Sequence, residues 1–168
     1  RKWGCAGMRS EQEVSAAIGR YADTVRRLCL IRLKNEADTE DIFQTVFLKY
    51  AMSRTAFASE EHEKAWFIRV TINACKDLLK SFFRSRTVPL DELLEQPAQV
   101  PRDYTDVLEA VLTLPQKYRD VVYLYYYEGY GAEEIGQLLR KSVNTVYTWL
   151  ARARKLLREK LGGDWDEG

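Results

Sequence analysis

Five side chains in the C-terminal third carry the most specific chemical signal: Asn144, Thr145 and Thr148, then Arg152 and Lys155. At helical spacing they share one face, opposite an apolar stripe of Val146, Leu150, Ala153 and Leu157. Short polar groups come first and cations follow, with Arg154 and Arg158 on the flanks. A helix seated in the major groove of duplex DNA needs that order. Its N-terminal residues reach base edges, while later cations meet phosphates. The pattern alone leaves open a plainer account, a solvated basic helix that closes a bundle.

A second set lies upstream. Arg69, Asn73, Lys76 and Lys80 repeat in one helical register, followed by Arg84 and Arg86, with Asp77 interrupting. Phe57 and Trp66 precede the stripe, and Phe82 and Phe83 lie near its end. Cations beside aromatic rings suit single-stranded nucleic acid, where phosphates meet Lys or Arg and unstacked bases meet rings. A third set is acidic and polar: Glu40, Asp41 and Gln44 form a ridge near a helix start. Carboxylates there offset the helix dipole. Gln44 and the apolar content beyond it also fit a partner surface.

Other chemistries find little support. The chain has one histidine, His62, and three cysteines, Cys5, Cys29 and Cys75, widely spaced. Zinc spacing and a disulfide framework are both missing, and no nucleophile motif points to an enzyme. Cys29 and Cys75 sit among apolar residues and read as reduced core residues. No apolar run is long enough to cross a membrane and no signal peptide is evident, so a cytoplasmic protein is the default expectation. Met8 is a candidate natural start, which would make RKWGCAG an upstream extension. The net charge of +1 hides segregation: acids gather at 36–41, at 91–95 and at the C-terminus, bases at 69–86 and 140–160. Such local patches, more than the total, are the footprint of nucleic-acid binding.

The elements that must position these sets all read as helices. Residues 10–34 show an apolar face of Val14, Ala17, Ile18, Tyr21, Val25, Leu28 and Cys29. Asn35-Glu36-Ala37 reads as a break, with Asp38 capping the next helix, whose core face is Ile42, Phe43, Val46, Phe47 and Tyr50. Periodicity fails over 53–63, which reads as a loop. A long helix is expected from Glu63 to about Phe83, built on Ile68, Ile72, Cys75, Leu79 and Phe82. Pro89, Pro97 and Pro101 then break the chain, with Asp91, Glu92 and Glu95 between them. A domain boundary is expected there. Asp103 introduces a helix over 106–114, and Pro115 opens the next. The stretch 116–128 has strand propensity in YLYYY, but its flanks and Gly129 favour a buried helix. Gly131 caps a short helix with Ile135, Leu138 and Leu139. Arg140-Lys141-Ser142 makes a turn, and Ser142 caps the basic helix. The expected fold is all-α. Two small helical domains, 10–86 and 104–161, are joined by a Pro-rich acidic linker, 87–103, and followed by a tail, 162–168.

In order and spacing, three stretches resemble one known family. They are DTEDIFQTVFLKYA, AWFIRVTINACKDLLK, and LPQKYRDVVYLYYYEGYGAEEIGQLLRKSVNTVYTWLARARKLLREKL after the linker. The chain resembles a group IV (extracytoplasmic function) sigma factor of bacterial RNA polymerase, over nearly its whole length. The resemblance implies a transcription initiation factor with no cofactor. Its partners would be core polymerase, promoter DNA both duplex and melted, and an anti-sigma factor. Asp38, Glu40, Asp41, Gln44 and Phe47 fall where the family docks on the clamp helices of the largest catalytic subunit. Phe57, His62, Trp66, Arg69, Asn73, Lys76, Lys80 and Arg84 fall where it melts and reads the minus-ten element, the loop from Thr55 to His62 matching one that captures a flipped base. Ser142, Asn144, Thr145, Tyr147, Thr148, Arg152, Arg154 and Lys155 fall where it reads the minus-thirty-five element. The acidic linker matches the segment that threads toward the RNA exit path.

The chain departs from the family at several positions. Asn144 stands where a glycine is common, Tyr147 where lysine is, Trp149 where arginine is, and Thr45 where Glu is. Gly131 replaces a common Ser or Thr, and Gly136 a common Ala. The alternative from the residues alone is a helix-turn-helix regulator that binds duplex DNA without polymerase.

Overall fold

The computed structural model describes residues 7–85 and 106–161, all of whose regular structure is helical. The expected linker, the tail and the roles given to Cys5, Arg86 and Asp103 lie outside the described residues. The chain divides into two compact units, Arg1–Leu93 and Leu94–Gly168.

The first unit packs α1 (Glu11–Leu33) against α2 (Glu36–Met52) and α3 (Glu60–Ser85). Ser10 caps α1 by accepting the Glu13 N–H at 3.1 Å. The helix ends at Lys34, held in the left-handed region at φ 55°. Side chains at i and i+4 stack on one face of a helix, so Ala17, Tyr21, Val25, Cys29 and Leu33 form one buried seam. They meet Ile42, Val46, Phe47 and Tyr50 of α2 and Phe67, Ala74 and Cys75 of α3.

Two starts differ from the sequence expectation. Asn35, not Asp38, caps α2: its backbone is extended and its side chain accepts the Asp38 N–H at 3.0 Å. Asp38 therefore sits inside the first turn, where burial and then Asp41 raise its pKa. Helix α3 begins at Glu60 rather than Glu63, with the Ser59 hydroxyl accepting the His62 N–H at 3.1 Å. The first turn is carried by capping and by acids at the positive end of the dipole.

The second unit contains α4 (Asp106–Leu112), α5 (Gln116–Val122), a π-helical turn (Tyr123–Tyr127), α6 (Ala132–Leu139) and α7 (Val143–Leu161). Helices α4, α5 and α6 all pack on α7. Pro115 takes the cap position of α5, one residue before the first-turn place expected of it. YLYYY is helical, as its flanks suggest, but wound as a π turn that buries Tyr123 and Leu124. The turn between α6 and α7 follows the sequence reading closely. The Gly131 N–H donates to Glu134 Oε1 at 3.1 Å. Arg140 ends α6 in the left-handed region at φ 57°, and the Lys141 N–H donates to the Gly136 carbonyl at 2.9 Å. Ser142 Oγ then accepts the Thr145 N–H at 3.2 Å.

Candidate nucleic-acid and docking surfaces

Helix α7 separates its faces cleanly. Val146, Leu150, Ala153 and Leu157 are buried, whereas Asn144, Tyr147, Thr148, Arg152 and Lys155 are exposed. With about 100° between successive residues, Asn144, Thr148 and Lys155 point almost directly away from the buried stripe. Thr145 is half-buried and its hydroxyl lies 2.8 Å from that of Ser142, so both hydroxyls serve the cap. Trp149, where the family favours arginine, is half-buried with Lys141 Nζ 5.9 Å from its ring centroid. Arg154 is turned sideways: it is half-buried, and its Nε donates to the Tyr126 hydroxyl at 2.7 Å. The sequence puts it in the DNA-contacting set; the structure gives it a packing partner.

On α3, Arg69, Asn73, Lys76, Lys80 and Arg84 are all exposed, and His62 and Trp66 continue the same register toward the N-terminus. From residue 69 to 84 this face runs about 22 Å at 1.5 Å per residue. Asp77, Lys80, Ser81 and Arg84 line a shallow groove at its far end. The aromatic residues do not form an open platform. Phe57 and Trp66 are half-buried and pack edge to face with centroids 5.9 Å apart. Phe57 also meets His62 at 5.3 Å and stacks with Tyr50 at 6.4 Å. His62 Nδ1 accepts the Ala58 N–H at 3.2 Å, which folds the 53–59 loop back onto α3. Phe83 is the exposed ring of the set, at 58%.

Helix α2 exposes Glu40, Asp41 and Gln44, with Asp38 half-buried beside them. Glu40 pairs with Arg26 of α1 at 3.2 Å. Phe47 does not belong to this ridge. It is 5% exposed, with its ring 4.7 Å from Phe43 and 5.2 Å from Phe67. It faces the core because its helical phase is nearer that of Ile42, Val46 and Tyr50 than that of Asp41. The surface holds instead Leu48 and Met52, 58% and 61% exposed, in one register with Asp41. The sequence reading passed over both. Their signal was their phase: they are large apolar side chains about opposite the core stripe.

A buried acid was also missed. Glu63, 9% exposed, accepts from Tyr21 Oη at 2.9 Å, Arg20 Nη2 at 2.9 Å and Tyr50 Oη at 3.1 Å. It thereby joins all three helices of the first unit. Burial alone would raise its pKa, but the three donors outweigh that and hold the carboxyl below its ordinary value. Burial, with the bond to Glu63, pushes Tyr21 up to about 12. Its signal was an acid four residues before Phe67, on the buried phase of α3. Among the described residues, no three His, Cys, Asp or Glu gather as a metal site, and no helix is long and apolar enough to cross a membrane.

Two family models match, sigma-70 region 2 over residues 17–86 and sigma-70 region 4 over residues 104–157. The chain is 32% identical over 138 residues to the RNA polymerase sigma factor SigV of Bacillus subtilis, covering 80% of this chain and 82% of that protein. It is 29% identical over 158 residues to the ECF RNA polymerase sigma factor SigW of the same organism, covering 84% of each. Among solved structures it resembles the sigma factor RpoE of Bartonella quintana, crystallised with the anti-sigma factor NepR. The TM-score is 0.75 at 19% identity, over 91% of this chain and 99% of that one.

Proposed function

The chain belongs to the sigma-70 family, among its extracytoplasmic-function members, and on that premise we propose how its surfaces divide the work of promoter recognition. As a sigma factor it binds core RNA polymerase and directs promoter-specific transcription initiation. It lends recognition, and the polymerase carries the chemistry of RNA synthesis. The α3 face holds the melted non-template strand of the minus-ten element: its cations meet phosphates and Asn73 meets a base. The loop from Thr55 to His62 captures a flipped base. Phe57 and Trp66 serve it from within as packed support. Helix α7 enters the major groove of the minus-thirty-five element, where Asn144 and Thr148 meet base edges and Arg152 and Lys155 meet phosphates. The α2 ridge of Asp38, Glu40, Asp41 and Gln44 docks on the clamp helices, and Leu48 and Met52 supply apolar area at its centre. The linker, 87–103, threads toward the RNA exit path. An anti-sigma partner is a further expectation, since the similar Bartonella protein is held by one. The domain limits proposed are 10–86 and 104–161.

The observation that carries this reading is the single-register face of Arg69, Asn73, Lys76, Lys80 and Arg84, all exposed on a helix whose other side is core. A stand-alone helix-turn-helix regulator has no use for it. The test is reconstitution with core polymerase on a promoter library, followed by permanganate footprinting. Asn73→Ala or Lys80→Ala should reduce strand opening more than closed-complex binding. Equal loss at both stages, or none, would return the stripe to ordinary solvent exposure. Separately, Asp41→Lys with Gln44→Ala, or Leu48→Asp alone, should weaken capture of core polymerase while the thermal midpoint holds. Unchanged capture in both would remove the clamp assignment.

A further inference from the structure

The 53–59 loop has few bonds of its own. Ser53 Oγ meets the Thr55 hydroxyl at 3.0 Å and the Thr55 N–H at 3.1 Å. What ties the loop to the rest of the unit comes from the segment before α1. The Arg9 N–H donates to the Ala51 carbonyl at 2.8 Å. Its Nε donates to the Tyr50 carbonyl at 3.1 Å, and its Nη2 donates to the Thr55 carbonyl. Its Nη1 reaches Glu13 at 3.4 Å. The guanidinium carbon lies 4.3 Å from the Tyr50 ring centroid and 5.4 Å from that of Phe57. One side chain, 14% exposed, thus joins the last turn of α2, the loop backbone and the loop's aromatic anchor.

The chemistry explains why an arginine sits there. The last carbonyls of a helix lack partners within it and lie at its negative end, so a cation placed there satisfies both. Two carbonyls on different segments are reached together only by a planar fork, which an ammonium group does not have. The fork also lies over ring faces, which attract cations.

The geometry points to Arg9 as a positioning residue for minus-ten recognition. By fixing the Thr55 carbonyl and the Phe57 ring against α2, it sets the shape in which the loop meets an extruded base. This rests on the assignment of the loop to base capture. Base readout by hydrogen bonding needs its supporting groups held within a fraction of an ångström. Arg9 itself is too enclosed to be the reading group.

The experiment uses holoenzyme reconstituted from the full chain and core polymerase, transcribing a library randomised across the minus-ten element. Arg9→Met, Arg9→Lys and His62→Ala are compared with the parent chain. Arg9→Met should flatten the base preference at the captured position by about fivefold or more, the scale of one good base contact. Preferences across the minus-thirty-five element and affinity for core polymerase should hold. Arg9→Lys should restore only part of the preference, because it cannot span both carbonyls. An intact preference in Arg9→Met, with His62→Ala flattening it, overturns the inference and leaves the base-capture reading standing. Intact preference in both variants overturns the base-capture reading and this inference with it. A uniform fall in output with every preference preserved shows a structural role alone and also overturns it. Should Arg9→Met fail to fold, full native preference in Arg9→Lys overturns the inference.

Discussion

Arg154 Nε and the Tyr126 hydroxyl lie 2.7 Å apart, and this contact fastens helix α7 to the π turn. The same guanidinium carbon sits 5.8 Å from the Tyr125 ring centroid and 5.9 Å from that of Tyr126. The reading helix is therefore steadied from its side by a cation that could otherwise have faced phosphate.

That arrangement separates Arg154 from Arg152. Arg152→Ala should weaken binding to every upstream duplex alike and reduce the salt slope by about 1, since one phosphate contact is lost. Arg154→Ala should leave the salt slope near its parent value and destabilise the second unit by about 1–2 kcal/mol, the scale of a hydrogen bond to a charged group. Tyr126→Phe should share that loss in part. Fluorescence anisotropy at several salt concentrations, with thermal melts, measures both. A reduced salt slope in Arg154→Ala would return it to the phosphate-contacting set.

Asn144→Ala and Thr148→Ala should change which upstream sequences are preferred, at about 1–3 kcal/mol per lost base contact. Both residues are exposed near the start of α7, away from its buried stripe. Selection on randomised minus-thirty-five duplexes checks this. A uniform loss across all sequences would place them at the backbone instead.

The Glu63 cluster makes the first unit acid-sensitive. A carboxyl whose pKa is lower folded than unfolded stabilises fully above the unfolded value, about 4.3 for Glu, and loses that contribution as pH falls through the folded value. Glu63→Gln should cost about 1–3 kcal/mol at neutral pH. The gap between parent and variant should close as the solution is acidified below about pH 4. Urea melts at a series of pH values measure it, and a gap independent of pH would contradict the assignment. Tyr21 has the opposite sense. Its raised value, about 12, means that its contribution is complete below the ordinary tyrosine pKa and is lost as pH rises through the folded one.

Gly136→Ala should strain the turn between α6 and α7. A Cβ at Gly136 would lie 2.7 Å from the Lys141 carbonyl oxygen, a backbone atom that can move only if the turn opens. The expected cost is about 1–3 kcal/mol, read by thermal melting, with weaker upstream-duplex binding. An unchanged melt would mean that the turn relaxes freely.

The helices and most of the exposed faces were legible because they depend on period alone. Val146, Leu150, Ala153 and Leu157 announce a buried stripe, and Asn144 and Thr148 must then face away. Period says less where a helix begins. The first turns at Asn35 and Ser59 carry no apolar repeat, so both starts were placed about three residues late. Phase also blurs when both sides of a helix are apolar. Phe47 and Leu48 are neighbours of like hydrophobicity, yet one is core and the other surface. Contacts made across distant segments left no local trace at all. Arg9 on Thr55, Arg154 on Tyr126 and the donors around Glu63 bridge 28 to 46 residues of chain, apart from Tyr50.

The π turn sets a constraint on length as well as on packing. Such a turn holds one residue more than the α-helix it interrupts. Excising a residue from Tyr123–Tyr127 would let the stretch wind as ordinary α-helix, and whatever follows would rotate by about 100°. Gly129, held at φ 76°, would then launch the chain toward α6 in the wrong direction. Side chains along this stretch can be exchanged one at a time, but the stretch cannot be shortened by one: it is a spacer graduated in degrees.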